Sequence, residues 1–127
     1  MMQAATVDIL EPGEHLYTYP PGCKRLVVLV MGAAGGAAQT SAEAGQCTVG
    51  TVMRSNEGET GVFVTVGKGG RTGRLAGEVG EDGGDSSVGE TEVVARGGRG
   101  SHTPLRAAFA GRDGGHGSVR IVPFTDA

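Results

Sequence analysis

Few residues of this 127-residue chain are of a type and spacing that could do chemistry. The densest group is GEDGGDSS, residues 80–87, which holds Glu81, Asp82, Asp85, Ser86 and Ser87. Clustered carboxylates can offer oxygens to calcium, so a calcium site at Asp82 and Asp85 is one reading. EF-hand spacing and the nonapeptide calcium repeat are absent, and Asp and Ser among glycines more simply cap backbone amides in a turn. A nucleophilic serine needs a partnered base and a strained elbow, and neither accompanies Ser86 or Ser87. His15, His102 and His116 are scattered without metal-ligand spacing, and Cys23 and Cys47 lack the CxxC company of structural zinc. VTVGKGG at 64–70 fails as a phosphate loop. Gly61 lies one residue too far from Gly67, and Gly69 stands where Ser or Thr should hold magnesium. Thr72 occupies the last glycine position of a dinucleotide fingerprint. RGGRG at 96–100 is one arginine–glycine box without interleaved aromatics, and a tight turn after the preceding strand accounts for it. These residues point away from catalysis, and no cofactor or metal is expected.

The composition agrees. A net charge of −3 with both signs interspersed does not supply the broad basic face of a nucleic-acid binder. The longest apolar run, LVVLVMGAA at 26–34, is far shorter than a membrane span, so no membrane insertion is expected. No basic, cleavable leader is visible in MMQAATVDIL, and two cysteines are too few for a disulfide framework. Synthesis in a reducing cytoplasm follows, with Cys23 and Cys47 as ordinary thiols and one bridge between them as the alternative. With no Trp and 4% aromatic residues, the core must come from Val, Leu, Ile, Ala and Met.

Strands dominate the elements that must position these residues. HLYTYP at 15–20 alternates, with Tyr17 and Tyr19 on one face and Leu16 and Thr18 on the other. KRLVVLVM at 24–31 is short, apolar without a break and rich in valine, which predicts a strand covered on both faces. QCTVGTVM at 46–53 and GVFVTVG at 61–67 are two more strands, joined by RSNEGET at hairpin length. Val62, Val64 and Val66 share a face. TEVVA at 91–95 and SVRIV at 118–122 complete the set, and ATVDIL at 5–10 reads as an edge strand. The best helical spacing, Leu105, Ala108 and Phe109, is confined by Pro104 and Gly111 to about two turns. The fold expected is all-β, a jelly-roll-like sandwich with glycine-rich loops. Residues 1–11 form an edge strand or an attachment segment that joins a partner's sheet; residues 12–127 form the sandwich domain.

The 25 glycines are spaced. GKGGRTGRLAGEVGEDGG at 67–84 places Gly67, Gly70 and Gly73 three apart, slips, and places Gly77, Gly80 and Gly83 three apart again. Gly32 with Gly35, Gly97 with Gly100, and Gly111 with Gly114 and Gly117 repeat the interval. Three residues per turn is the period of the polyproline-II helix, which has no internal hydrogen bonds. Its backbone groups must therefore find neighbours or water. Glycine at every third position leaves a bare face for another such helix. These structural glycines predict an ordered bundle of short polyglycine helices at 67–84, not a linker. The charges keep the same period. Lys68, Arg71 and Arg74 make a basic edge, and Glu78 and Glu81 an acidic one, which side-by-side packing would bring together.

EPGEHLYTYPPGCKRLVVLVMGAAGG resembles the opening of the glycine-rich domain of bacteriophage tail fibres and minor tail proteins. VFVTVGKGG, GEDGGDSSVG, VVARGGRG and GHGSVRIV follow in family order, so the resemblance runs from residue 12 to residue 122. The pattern is also similar to the glycine-rich ectodomain of certain receptor tyrosine kinases, where a jelly roll of the tumour-necrosis-factor type carries polyglycine helices. There are departures. Val30 and Met31 stand before Gly32 where the family has an aromatic residue. Ala33, Ala34, Ala37 and Ala38 interrupt the first glycine run, and Glu43 sits in a short 39–45 segment. They predict fewer or shorter glycine helices at that end.

The resemblance implies a non-enzymatic virion protein, made in the host cytoplasm and displayed at a tail or fibre tip. It implies a homotrimer with other virion proteins as neighbours and a host cell-surface glycan as a further partner. Contact would fall on the loops near 32–45, 67–85 and 96–117, through Lys68, Arg71, Arg74, Arg99, His102, Arg112 and His116. A capsid decoration or head-fibre module is the alternative that the same sandwich would serve.

Overall fold

Alternation along each strand decides which side chains meet between two sheets. The computed structural model describes residues 2–3, 5–54, 58–89, 92–108 and 111–125. Among them run β1 (Met2–Gln3), β2 (Val7–Ile9), β3 (Gly13–Thr18), β4 (Cys23–Met31), β5 (Cys47–Met53), β6 (Gly61–Val66), β7 (Ser86–Val88), β8 (Val93–Ala95) and β9 (Ser118–Thr125). All pairings are antiparallel. One sheet has the order β1-β9-β4-β5, with β2 also on β9; the other has the order β3-β6-β7-β8. The protein is a two-sheet β-sandwich.

The core lies between the sheets. Leu26, Val28 and Val30 of β4, Val119 and Ile121 of β9, and Val64 and Val88 of the facing sheet are fully buried. Tyr17 and Tyr19 point inward, while Leu16 and Thr18 point out. Val62, Val64 and Val66 share the inner face of β6. Gly50 on β5 lets the sheets approach, since a Cβ there would press on the Val93 side chain. Cys23 is a buried free thiol and Cys47 an exposed one.

Four sequence expectations need correction. β4 is covered on one face only within this chain, because Val27 and Leu29 on its outer side are half-buried and Met31 is exposed. The 54–60 link is not a hairpin, since β5 pairs with β4 while β6 pairs with β3 and β7, in the other sheet. No helix forms at 103–108, where the Leu105 N–H bonds to the Glu78 carbonyl (2.9 Å) instead of to a helical turn; Phe109 lies outside the described residues. RGGRG is not a tight turn: residues 96–101 run alongside three other segments, exchanging backbone hydrogen bonds with each.

Candidate functional site: the glycine bundle and its groove

The strand ends run on into glycine segments that keep the sheet order. Segments 111–117, 32–38 and 39–46 continue β9, β4 and β5. Segments 67–73, 78–85 and 96–101 lie beside β6, β7 and β8. Residues 32–38 are the hub. The N–H groups of Gly32 and Gly35 donate to the carbonyls of Gln46 and Glu43, those of Ala33 and Gly36 to Gly84 and Glu81, and that of Ala34 to Gly115. In return the carbonyls of Ala33 and Gly36 accept from Gly98 and Ser101, and those of Ala34 and Ala37 from Gly70 and Gly73. Four of the five partner segments recur after three residues, the repeat of a polyproline-II-type helix. Five segments thus surround the alanine-containing run, which is the centre of the bundle and not its shortened end.

Close backbone approach explains the glycines. A Cβ on Gly70 would land on the Glu81 carbonyl, one on Gly80 on the Gly36 carbonyl, and one on Gly83 on the Ala33 carbonyl. Gly32, Gly35, Gly67, Gly97, Gly100 and Gly114 face backbone in the same way, and Gly117 faces both Ser86 Oγ and the Met31 carbonyl. Gly73 is looser, with the Glu78 carbonyl 3.2 Å from its Cβ position. Gly77 is required for a different reason: its φ of +89° places it in the left-handed region. Gly111 is half-buried. The period-three reading overlooked Gly36, Gly45, Gly69 and Gly98, which are equally crowded.

Side chains close the amides that no backbone reaches. Asp82 accepts from the Gly100 N–H and Asp85 from the Gly97 N–H, both at 2.8 Å. The carboxylates weighed for calcium are therefore caps. Among the described residues no group of three or more His, Cys, Asp or Glu is placed to hold a metal ion. Buried Ser86 accepts the Gly67 N–H at 2.9 Å. Glu78 Oε1 accepts from both Arg74 and Leu75 N–H at 2.8 Å, and Glu81 Oε1 from Arg71 N–H at 3.2 Å. Across the 67–73 segment, Asp113 Oδ1 accepts the Thr72 N–H (3.0 Å) and His116 Nδ1 the Gly69 N–H (2.9 Å). Backbone hydrogen bonds, above all from Leu75, hold the Glu78 carboxyl below the usual range. The Thr72 amide does the same for Asp113.

Four of these caps, Glu81, Asp82, Asp113 and His116, line an open groove of about 680 Å³ beside the 67–73 segment. Lys68, Arg71, Glu81, Asp82, Asp113 and His116 supply its side chains. Of the residues expected at a contact surface, Lys68, Arg71 and His116 meet here. Arg74 is tied nearby to Asp113 (3.5 Å) and Arg71 to Glu81 (3.8 Å), so the basic and acidic edges do meet. Arg99, His102 and Arg112 are exposed but do not line the groove. Asp113 was not anticipated. Its signal was available, because Asp113 and His116 are three apart within the glycine triplet Gly111, Gly114 and Gly117.

Fold and site together define a β-sandwich that extends into a cross-bonded glycine bundle bearing a polar groove. A family model described as a glycine-rich domain matches residues 10–122, and the chain belongs to that family. No curated protein and no solved structure matches it.

Proposed function

We propose that this chain is a non-enzymatic bacteriophage virion protein, a minor tail or tail-tip component that contacts a host-surface glycan through its glycine bundle. The order of its motifs, similar to that of phage tail proteins along nearly the whole chain, supports the virion role. The groove carries the glycan reading. Sugar hydroxyls both donate and accept, and the groove offers Lys68 and Arg71 as donors beside Glu81 and Asp82 as acceptors. Backbone hydrogen bonds hold its floor, so little ordering cost accompanies binding.

The test combines two measurements. Purified protein is incubated with host cells and a glycan array, and its copy number per particle is counted by quantitative mass spectrometry. A few copies per particle, with cell binding weakened at least fivefold by Lys68→Glu, are expected. Many copies without cell binding would assign the chain to capsid decoration or a head fibre instead.

A further inference from the structure

Two amides of the 67–73 segment, those of Gly69 and Thr72, lie three residues apart, and side chains of 111–117 close both. His116 Nδ1 accepts from Gly69 (2.9 Å) and Asp113 Oδ1 from Thr72 (3.0 Å). The return bonds run between backbone groups, from Gly117 N–H to the Gly67 carbonyl (2.9 Å) and from Gly114 N–H to the Gly70 carbonyl (2.8 Å). They bracket the Gly69 position. The two side-chain acceptors are placed alike, but they differ in when they accept. A carboxylate accepts whenever it is ionised, and ordinary carboxylates stay ionised down to about pH 4. An imidazole nitrogen accepts only while the ring is neutral, and histidine ordinarily gains its second proton near about pH 6.5.

We propose that His116 is a proton-operated latch on the groove. Neutral, it closes the Gly69 amide and holds the groove in its binding form; protonated, it releases that amide and weakens binding. Both ring nitrogens of an imidazolium carry hydrogen, so no rotation of the ring restores an acceptor for Gly69. The chain cannot swing to compensate, because the bonds at Gly117 and Gly114 fix it on either side. The ring must therefore turn away. His116 and Gly69 both line the groove, so the change falls on its wall and not on the core. Charged groups face His116 from each neighbouring element. Lys68 and Arg71 stand on 67–73, and Glu81 and Asp82 across the groove. Asp113 and exposed Arg112 stand on its own segment, with Asp113 committed to the Thr72 amide and to Arg74. The 32–38 segment, which also packs on 111–117, carries no ionisable side chain. These charges do not alter what protonation does, because an imidazolium accepts no hydrogen bond whatever surrounds it. The Gly69 bond is thus present at neutral pH and lost as pH falls through the titration of His116. The latch itself stands on this geometry; its effect on binding rests on the glycan reading of the same groove.

The test compares the full chain at about pH 7.5 and about pH 5.5, a range in which ordinary histidines titrate and carboxylates do not. The first readout needs no ligand. It is solvent exchange of the Gly69 amide by NMR, expressed against the intrinsic exchange rate at each pH. Protection should fall about fivefold or more on acidification, the scale of one lost hydrogen bond, while Gly114 and Gly117 keep theirs. In His116→Asn, whose Oδ1 takes the place of Nδ1 and does not titrate, Gly69 should stay protected at both pH values. In His116→Phe it should be open at both. The second readout is binding to host cells, which should weaken about threefold or more at the lower pH in the wild type and vary little with pH in His116→Asn. Gly69 protection that does not change with pH would overturn the inference. So would a fall that His116→Asn shares, or wild-type cell binding that is equal at both pH values. Absence of cell binding at either pH would sink the glycan reading instead, and the Gly69 readout would still decide the latch.

Discussion

A methyl group is enough to test the bundle at the residue scale. Alanine at Gly70 or Gly80 puts a Cβ onto a carbonyl of another segment, and that carbonyl is fixed by its own hydrogen bonds. Backbone has less room to give than a side chain, so the loss should reach about 3 kcal/mol or more, the upper end for overpacking. Gly115 meets nothing within 4 Å and lies outside the left-handed region. Gly115→Ala should therefore stay within about 0.5 kcal/mol of wild type, as at ordinary surface sites. Chemical denaturation of the three variants decides it, and equal small shifts would mean that the glycines are not packed as described. Glu78 and Asp113 make a second case. Both carboxyls sit below their ordinary values of 4.5 and 3.8, through backbone amides that only the folded chain presents. A carboxyl depressed in the fold stabilises it above the unfolded pKa and loses that contribution as pH falls through the folded one. The protein should therefore lose stability on acidification below about pH 4.5. Asp113→Asn, which retains an oxygen acceptor for the Thr72 amide, should flatten that acid limb in pH-dependent melts; an unchanged limb would remove Asp113 from the account.

Register is the property of the element. In the 78–85 segment Gly80 and Gly83 donate to 96–101, Glu81 and Gly84 donate to 67–73 with the Glu81 side chain accepting from it, and Asp82 and Asp85 cap 96–101. One extra residue turns every later side chain by a third of a turn, so a glycine inserted between Gly80 and Glu81 would misplace Asp82, Gly83 and Asp85 together. The same insertion between Leu75 and Ala76, in an exposed turn, lengthens only a loop. The first should lower the melting temperature by more than about 10 °C and the second by only a few degrees, on the scale expected for a domain of this size. Comparable losses would argue against a register. This logic was partly legible in the sequence, because interval and alternation are local. The inward valines of β6, Tyr17 of β3 with Tyr19 just past its end, and the three-residue spacing of Gly67, Gly70 and Gly73 could all be read directly. Sheet membership could not, since the choice of partner for β5 and β6 is made by strands distant in the chain. The central role of 32–38 was hidden for a related reason. Its alanines looked like interruptions, yet Ala34 and Ala37 are only half-buried, and what the hub demands of its neighbours is glycine.

Over the whole molecule, the sandwich and the bundle share their chain segments end to end. β4 leads into the hub, β6 into 67–73, and 111–117 into β9, so neither part can lose its order without stranding the ends of the other. Gly70 donates to Ala34, Gly98 to Ala33 and Gly114 to Gly70, which ties these continuations across the same two layers as the core. Glycine-rich segments with so few side chains to bury would ordinarily open locally, at a small fraction of the global free energy. Here the cross-bonds should make them exchange with the core. Native-state hydrogen exchange should give the amides of Gly70, Gly98 and Gly114 opening free energies within about 1 kcal/mol of those of Val28 and Val64, with all of them falling together in denaturant. Protection of the glycine amides several kcal/mol below the valines would instead describe a stable sandwich carrying a separately opening bundle. The preorganised floor assigned to the groove would then have to form at the moment of binding.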